Sequence, residues 1–235
     1  YVLGALNRRI TDILRQERQG VTMSHISRRD IFLYGVGGAA FGFSIKTANG
    51  AIRNPRCRCG VRSPKNYNKK LSRNPDKWGK NHLTYFMSGR DTQDMNAEVW
   101  DTQFKLAFES WSEVCPLTFS KIDSHKEADF IIGVSRRRKQ GFGRSGGILA
   151  WAQMPSRREY DGQLWTVFDL AENWILPEEK YGIILRSVAA HEIGHLLGLD
   201  HSSDERALMY PYINDALKPR SDDIAKIQSL YGKKE

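Results

Sequence analysis

The sequence predicts an α+β domain over residues 78–235, and two observations predict it. Five short β-prone runs, at 82–87, 117–122, 128–134, 148–153 and 164–168, all fall before residue 169 of that span. Helical patterns are set between the first two runs and after the last, and strands grouped ahead of helices are the mark of the α+β class.

In chain order, residues 3–19 read as a helix. Leu3, Leu6, Ile10, Ile13 and Leu14 recur at three- and four-residue steps, and Gly20 can end it. Residues 31–50 are rich in glycine and alanine. Residues 54–80 are polar and basic, hold Pro55, Pro64 and Pro75, and read as an exposed linker open to proteases. Trp100, Phe104, Ala107, Phe108, Trp111 and Val114 then share one face of an amphipathic helix. A second helix is expected over 181–197. A third starts at Ser221 as N-cap, with Asp222 and Asp223 complementing the helix dipole. Ile224, Ile227, Leu230 and Tyr231 form its buried side, and Gly232 ends it. The expected division is 1–77 and 78–235.

The 235 residues, 40% of them apolar, suffice for a core without disulfide staples. A net charge of +9 favours polyanions such as glycosaminoglycans. The basic runs Arg8-Arg9, Arg28-Arg29, Arg136-Arg137-Arg138-Lys139 and Arg157-Arg158 lack interleaved aromatics, which argues against specific nucleic-acid binding. No apolar stretch is long enough for a membrane span. No leader pattern is visible in Tyr1-Val2-Leu3-Gly4. Three cysteines, Cys57, Cys59 and Cys115, leave at least one thiol outside any disulfide. Cys57 and Cys59 flank a single arginine, and a disulfide between residues so close would be strained. Cys115 ends an apolar helix and reads as a small buried side chain.

His191-Glu192-Ile193-Gly194-His195 carries the chemistry. Positions four apart lie on one helical face, so both imidazoles can reach one ion, and Glu192 stands beside them to take a proton from water. Gly198 can adopt positive φ, end the helix and turn the chain so that His201 returns as a third ligand. Three histidines leave a fourth tetrahedral position open, the mark of a catalytic zinc rather than a structural one.

The run 191–202, followed by Ala207-Leu208-Met209-Tyr210-Pro211, resembles the matrix metalloproteinases (matrixins). Ser202 after the third histidine is that family's mark, and Met209 matches the methionine that packs beneath the metal. The resemblance covers nearly all of 78–235. It implies a metzincin-like catalytic domain with a twisted, mostly parallel sheet and three helices, preceded by a small helical propeptide. It also implies a secreted, extracellular endopeptidase acting on matrix proteins and met by tissue-inhibitor-type proteins.

Pro55-Arg56-Cys57-Arg58-Cys59-Gly60-Val61 resembles the family's cysteine switch, in which a propeptide thiolate occupies the zinc until the propeptide is cut. Cys59 is the expected ligand because Gly60 allows close approach of the backbone; Cys57, which follows Pro-Arg, is the alternative. The family's Pro-Asp is Arg62-Ser63 here. The family's second, structural zinc falls on Arg136, Arg138, Trp151 and Val167, which cannot bind it, so one zinc is expected. Asp169 and Glu172 match two of the family's calcium carboxylates and the third is Gly143. Calcium binding there and two plain surface acids both remain open readings.

By the same resemblance, Leu149 and Ala150 lie on an edge strand that pairs with the substrate backbone. Side-chain choice falls to a pocket beside the zinc whose wall in the family is Pro-x-Tyr; here Pro211 is followed directly by Tyr212, so that wall is altered. Zinc and the Ala150 backbone are expected to stabilise the oxyanion. Two rival readings stand beside this one: another metzincin branch, and a zinc-bearing protein that binds polyanions without catalysis.

Overall fold

Leu83, Tyr85 and Met87 point inward at every second residue of β1 (His82–Met87), the alternation of a strand with one face on the core. The computed structural model describes residues 58–60, 77–89, 95–136, 141–155 and 162–235. All of these fall in one unit, Ala48–Glu235. The helix expected over 3–19, the stretch 31–50, Cys57, Arg138 and most of the linker lie outside the described residues.

β1 is flanked by β2 (Thr118–Lys121) and β3 (Phe130–Ser135), both parallel to it, and β3 runs parallel to β5 (Leu164–Asp169). β4 (Ala150–Ala152) closes the order β2-β1-β3-β5-β4 as an antiparallel edge, with Ala150 opposite Phe168 and Ala152 opposite Thr166. The mostly parallel sheet is the expected one. Its last strand is shorter than the run 148–153: Ile148 bridges to Arg58, and Leu149 gives its N–H to Arg58 while its carbonyl still accepts the Asp169 N–H at the end of β5.

α1 (Ala97–Ser112) links β1 to β2, as a parallel pair requires. Asn96 caps it, accepting the Val99 N–H at 2.9 Å. Trp100, Phe104, Ala107, Phe108 and Trp111 are all buried on the predicted face. Phe104 meets Phe168 edge-on at 5.2 Å and Phe108 stacks on Tyr85 at 4.3 Å, which fixes α1 against the sheet.

α2 (Leu185–Leu196) starts four residues later than the periodicity suggests. Ile183–Ile184 instead pair as β7 with β6 (Trp174–Ile175). Gly182, at φ 150°, brings this segment so close to Asn173 that a Cβ would stand 2.6 Å from its carbonyl oxygen.

α3 (Ser221–Tyr231) places Ser221 inside the helix and Arg220 at the cap. Asp223 reaches back to accept the Arg220 N–H at 2.8 Å, so the second acid of the run, not the serine, supplies the capping bond. Ile227 is fully buried, whereas Ile224, Leu230 and Tyr231 are half-buried.

Candidate active site

The α2 helix carries His191, Glu192 and His195 into the protein, where all three are buried. Gly194 lets it approach so closely: a Cβ there would collide with the Met209 sulfur and stand 2.9 Å from the Trp111 ring. Met209 is fully buried beneath the site, and the Trp111 indole donates to the Ala190 carbonyl at 2.9 Å. The helix ends in a Schellman turn. Gly198 takes φ 100°, its N–H reaches the His195 carbonyl at 2.9 Å, and the Leu199 N–H reaches the Gly194 carbonyl at 2.9 Å. That reversal returns His201 to face the other two rings.

Each helical histidine has its tautomer fixed. His191 Nδ1 donates to the Leu208 carbonyl and His195 Nδ1 to the Leu199 carbonyl, both at 2.7 Å, because a carbonyl can only accept. Their Nε2 lone pairs therefore face inward. His195 Nε2 lies 3.2 Å from Nε2 of both His191 and His201, and Cys59 Sγ lies 3.5 Å from it. A tetrahedral zinc with ordinary bond lengths needs N–N edges of about 3.3 Å and N–S edges of about 3.6 Å. The four groups fit zinc. Lone pairs apposed at this range repel unless a cation lies between them. Among the described residues, these four form the metal-competent cluster, with all ligand atoms within 4.8 Å of one another.

Burial holds His191 down to about 3, with His201 adding to the effect, and holds His201 down to about 4, so both rings are neutral ligands at physiological pH. Burial pushes Glu192 up to about 8. The nearby Cys59 thiol favours the charged form, but neither Glu192 oxygen has a hydrogen-bond partner of normal geometry. These shifts set the stability of the metal-free chain. Between about pH 4.5 and 6.5 the unfolded chain binds two histidine protons that the folded chain lacks, and the folded chain keeps one on Glu192, so stability rises with pH by at most about 1.4 kcal/mol per unit. Above about pH 6.5, of these three groups, only Glu192 still differs in protonation, the folded chain holds its proton, and this contribution to stability falls until about pH 8. The thermal midpoint after chelation is expected to peak near pH 6.5; a midpoint rising steadily to pH 8 would contradict these assignments.

Residues 58–60 lie as an extended strand in the cleft. The Arg58 N–H donates to the Gly147 carbonyl at 3.1 Å and its carbonyl accepts the Leu149 N–H at 3.0 Å. The Gly60 N–H donates to Ala150 at 2.7 Å, and the Cys59 N–H to Pro211 at 3.0 Å. Arg58 pairs parallel with Ile148 and antiparallel with Tyr212. The four cleft residues expected from sequence are thus brought together around one strand. A Cβ on Gly60 would meet Ile148 at 2.6 Å, so only glycine passes there. Ala150 presents its carbonyl to the cleft, an acceptor that can hold an N–H of an extended chain. Beside His191 and Glu192 a cavity of about 20 Å³, lined by Val188, Leu208 and Ile213 among others, has room for one water.

Asp223 is a site residue that the sequence reading used only as a dipole partner. Fully buried, it accepts the Leu208 N–H at 2.7 Å and the Met209 N–H at 3.0 Å. It therefore fixes the peptide whose carbonyl orients His191. An acid at the third helical position signals a cap; nothing local signals that it also reaches residue 208. Ser202 adds a second tie, its N–H on the Met209 carbonyl at 2.8 Å and its hydroxyl on Asp222 at 2.5 Å.

Asp169 and Glu172 meet around one loop. Asp169 accepts the N–H groups of Gly143 and Ala171, one on each oxygen, which leaves lone pairs on both for a calcium ion. Glu172 takes the N–H groups of Gly146 and Gly147 and the Ser145 hydroxyl. Trp151 and Val167 face each other across β4 and β5, and Arg136 is exposed just past β3. Cys115 is buried, its thiol on the Trp111 carbonyl at 3.2 Å.

Residues 77–232 match the family model described as Matrixin. The chain is 39% identical over 172 residues to Metalloendoproteinase 1-MMP of Arabidopsis thaliana, covering 66% of this chain and 44% of that one. It is 40% identical over 164 residues to Stromelysin-1 of Equus caballus, covering 66% and 33%. It is 40% identical over 184 residues to Neutrophil collagenase of Homo sapiens, covering 74% and 37%. The chain spans less than half the length of each of these relatives.

Proposed function

This chain belongs to the matrixin family, and from that membership we propose that it is a zinc-dependent endopeptidase acting on extracellular or matrix proteins and kept latent by Cys59. Residues 78–235 are its catalytic domain and 1–77 its propeptide. The observation that carries the reading is the meeting of three imidazoles and a thiol at zinc spacing, beside a buried carboxylate that lacks a hydrogen-bond partner.

His191, His195 and His201 would hold the zinc, which when bound would supply Lewis acidity for the scissile carbonyl and for the attacking water. Leu149, Ala150, Pro211 and Tyr212 hold an extended peptide through backbone hydrogen bonds, which tolerate many side chains. Glu192 takes a proton from the attacking water on a carboxylate oxygen and delivers it to the departing amine. Burial raises its proton affinity above that of an ordinary carboxylate. Met209 floors the site, and Gly198 makes the turn that returns His201. Calcium is typical of the family, and Asp169 with Glu172 beside it is its proposed place here. Among the described residues no helix is long and apolar enough to cross a membrane, and secretion is proposed from the family. Further proposed partners are glycosaminoglycans on the basic surface and tissue-inhibitor-type proteins at the cleft.

After proteolytic removal of the segment ahead of Lys77, the chain is expected to cleave a peptide panel. A chelator should abolish that activity and added zinc should restore it. Retention on heparin with no chelator-sensitive cleavage would instead support the non-catalytic polyanion binder.

A further inference from the structure

The cleft edge is gripped from behind by the segment 169–172. Gly147 offers its carbonyl to the strand in the cleft and its N–H to Glu172 Oε1 at 3.4 Å. Leu149 offers its N–H to the same strand and its carbonyl to the Asp169 N–H at 2.8 Å. Glu172 also takes the Gly146 N–H on both oxygens, at 2.9 and 3.1 Å, and the Ser145 hydroxyl at 3.1 Å. It is buried, with 6% of its surface exposed. Between Phe142 and Ile148 the loop is Gly143, Arg144, Ser145, Gly146 and Gly147, none of which brings an apolar side chain to anchor it. A carboxylate accepting several donors is the strong fixing element there.

We propose that Glu172 is a positioning residue for substrate: it fixes the peptide planes at 145–147 and so sets where the Gly147 carbonyl meets an extended chain in the cleft. Its effect is confined to substrates long enough to reach that carbonyl. In the strand already present, the residue meeting Gly147 is Arg58, the neighbour of the one at the metal. The inference rests on the peptidase reading.

The test compares activated wild type with Glu172→Gln on two peptides, one with several residues on each side of the scissile bond and one with a single residue on each side. Glutamine keeps the shape, removes the charge and turns an amide donor toward donors of the loop. KM for the long peptide should rise about tenfold, while kcat and the short peptide change little. Equal losses on both peptides, a fall in kcat at constant KM, or a difference that added calcium erases would overturn the proposal. A second readout does not need catalysis. In the latent chain the same edge holds Arg58, so Glu172→Gln should raise the reactivity of Cys59 toward a thiol reagent several-fold, with labelling mapped by mass spectrometry. Unchanged Cys59 reactivity overturns the proposal, and wild type that cleaves neither peptide overturns the peptidase reading instead.

Discussion

Replacing Glu192 with glutamine should lower kcat/KM by about 10³-fold and leave the zinc content of the purified chain unchanged. The change is isosteric, so the three histidines keep their positions. It removes the group proposed to take the proton from water and return it to the leaving amine. Apart from the Cys59 thiol, which leaves with the propeptide, no group of normal hydrogen-bond geometry meets the Glu192 oxygens, so no structural bond is lost that would confuse the result. The same variant should abolish the decline in metal-free stability between about pH 6.5 and 8, since that limb belongs to the Glu192 proton. A variant that retains full activity would remove Glu192 from the chemistry, and one that loses zinc would show that its role is structural.

Cys59→Ala is expected to give the second large effect, in the opposite direction. The uncut chain should gain peptidase activity by about 10²-fold or more, because a tethered thiol acts at an effective concentration that a free thiol does not reach. Cys57→Ala should leave the uncut chain latent. The contrast is informative because Cys59 lies 3.5 Å from His195 Nε2, with its own N–H on Pro211 and its neighbours bonded to Gly147, Leu149 and Ala150. Latency that survives Cys59→Ala and vanishes in Cys57→Ala would transfer the role to Cys57. Gly60→Ala should resemble Cys59→Ala in weaker form, since its Cβ has no space against Ile148 and would lift the strand from the edge.

Much of the metal centre was legible in the sequence because its geometry is local. His191 and His195 share a face by helical periodicity alone, and a glycine three residues on sufficed to predict the return of His201. The amphipathic face of α1 was equally plain, since burial against a sheet leaves a 3.6-residue signature. Elsewhere local signals misled. The apolar period over 181–197 suggests four more residues of helix, but Gly182 and the pairing of Ile183 with Trp174 take the chain into a strand first. Ser221 looks like a cap, but Asp223 supplies the bond.

What the sequence determined by itself is the convergence of the candidate groups: three histidines and Glu192 lie within one turn and one reversal of each other. Periodicity and a single glycine encode that over eleven residues. Tertiary structure alone decided how the site is held and filled. Asp223 reaches Met209, Glu172 reaches Gly146, and Cys59 reaches a histidine 136 positions away. These are hydrogen bonds and close approaches between segments distant in the chain, and no local pattern records which carbonyl a buried carboxylate's donor will face, or which edge a passing strand will meet.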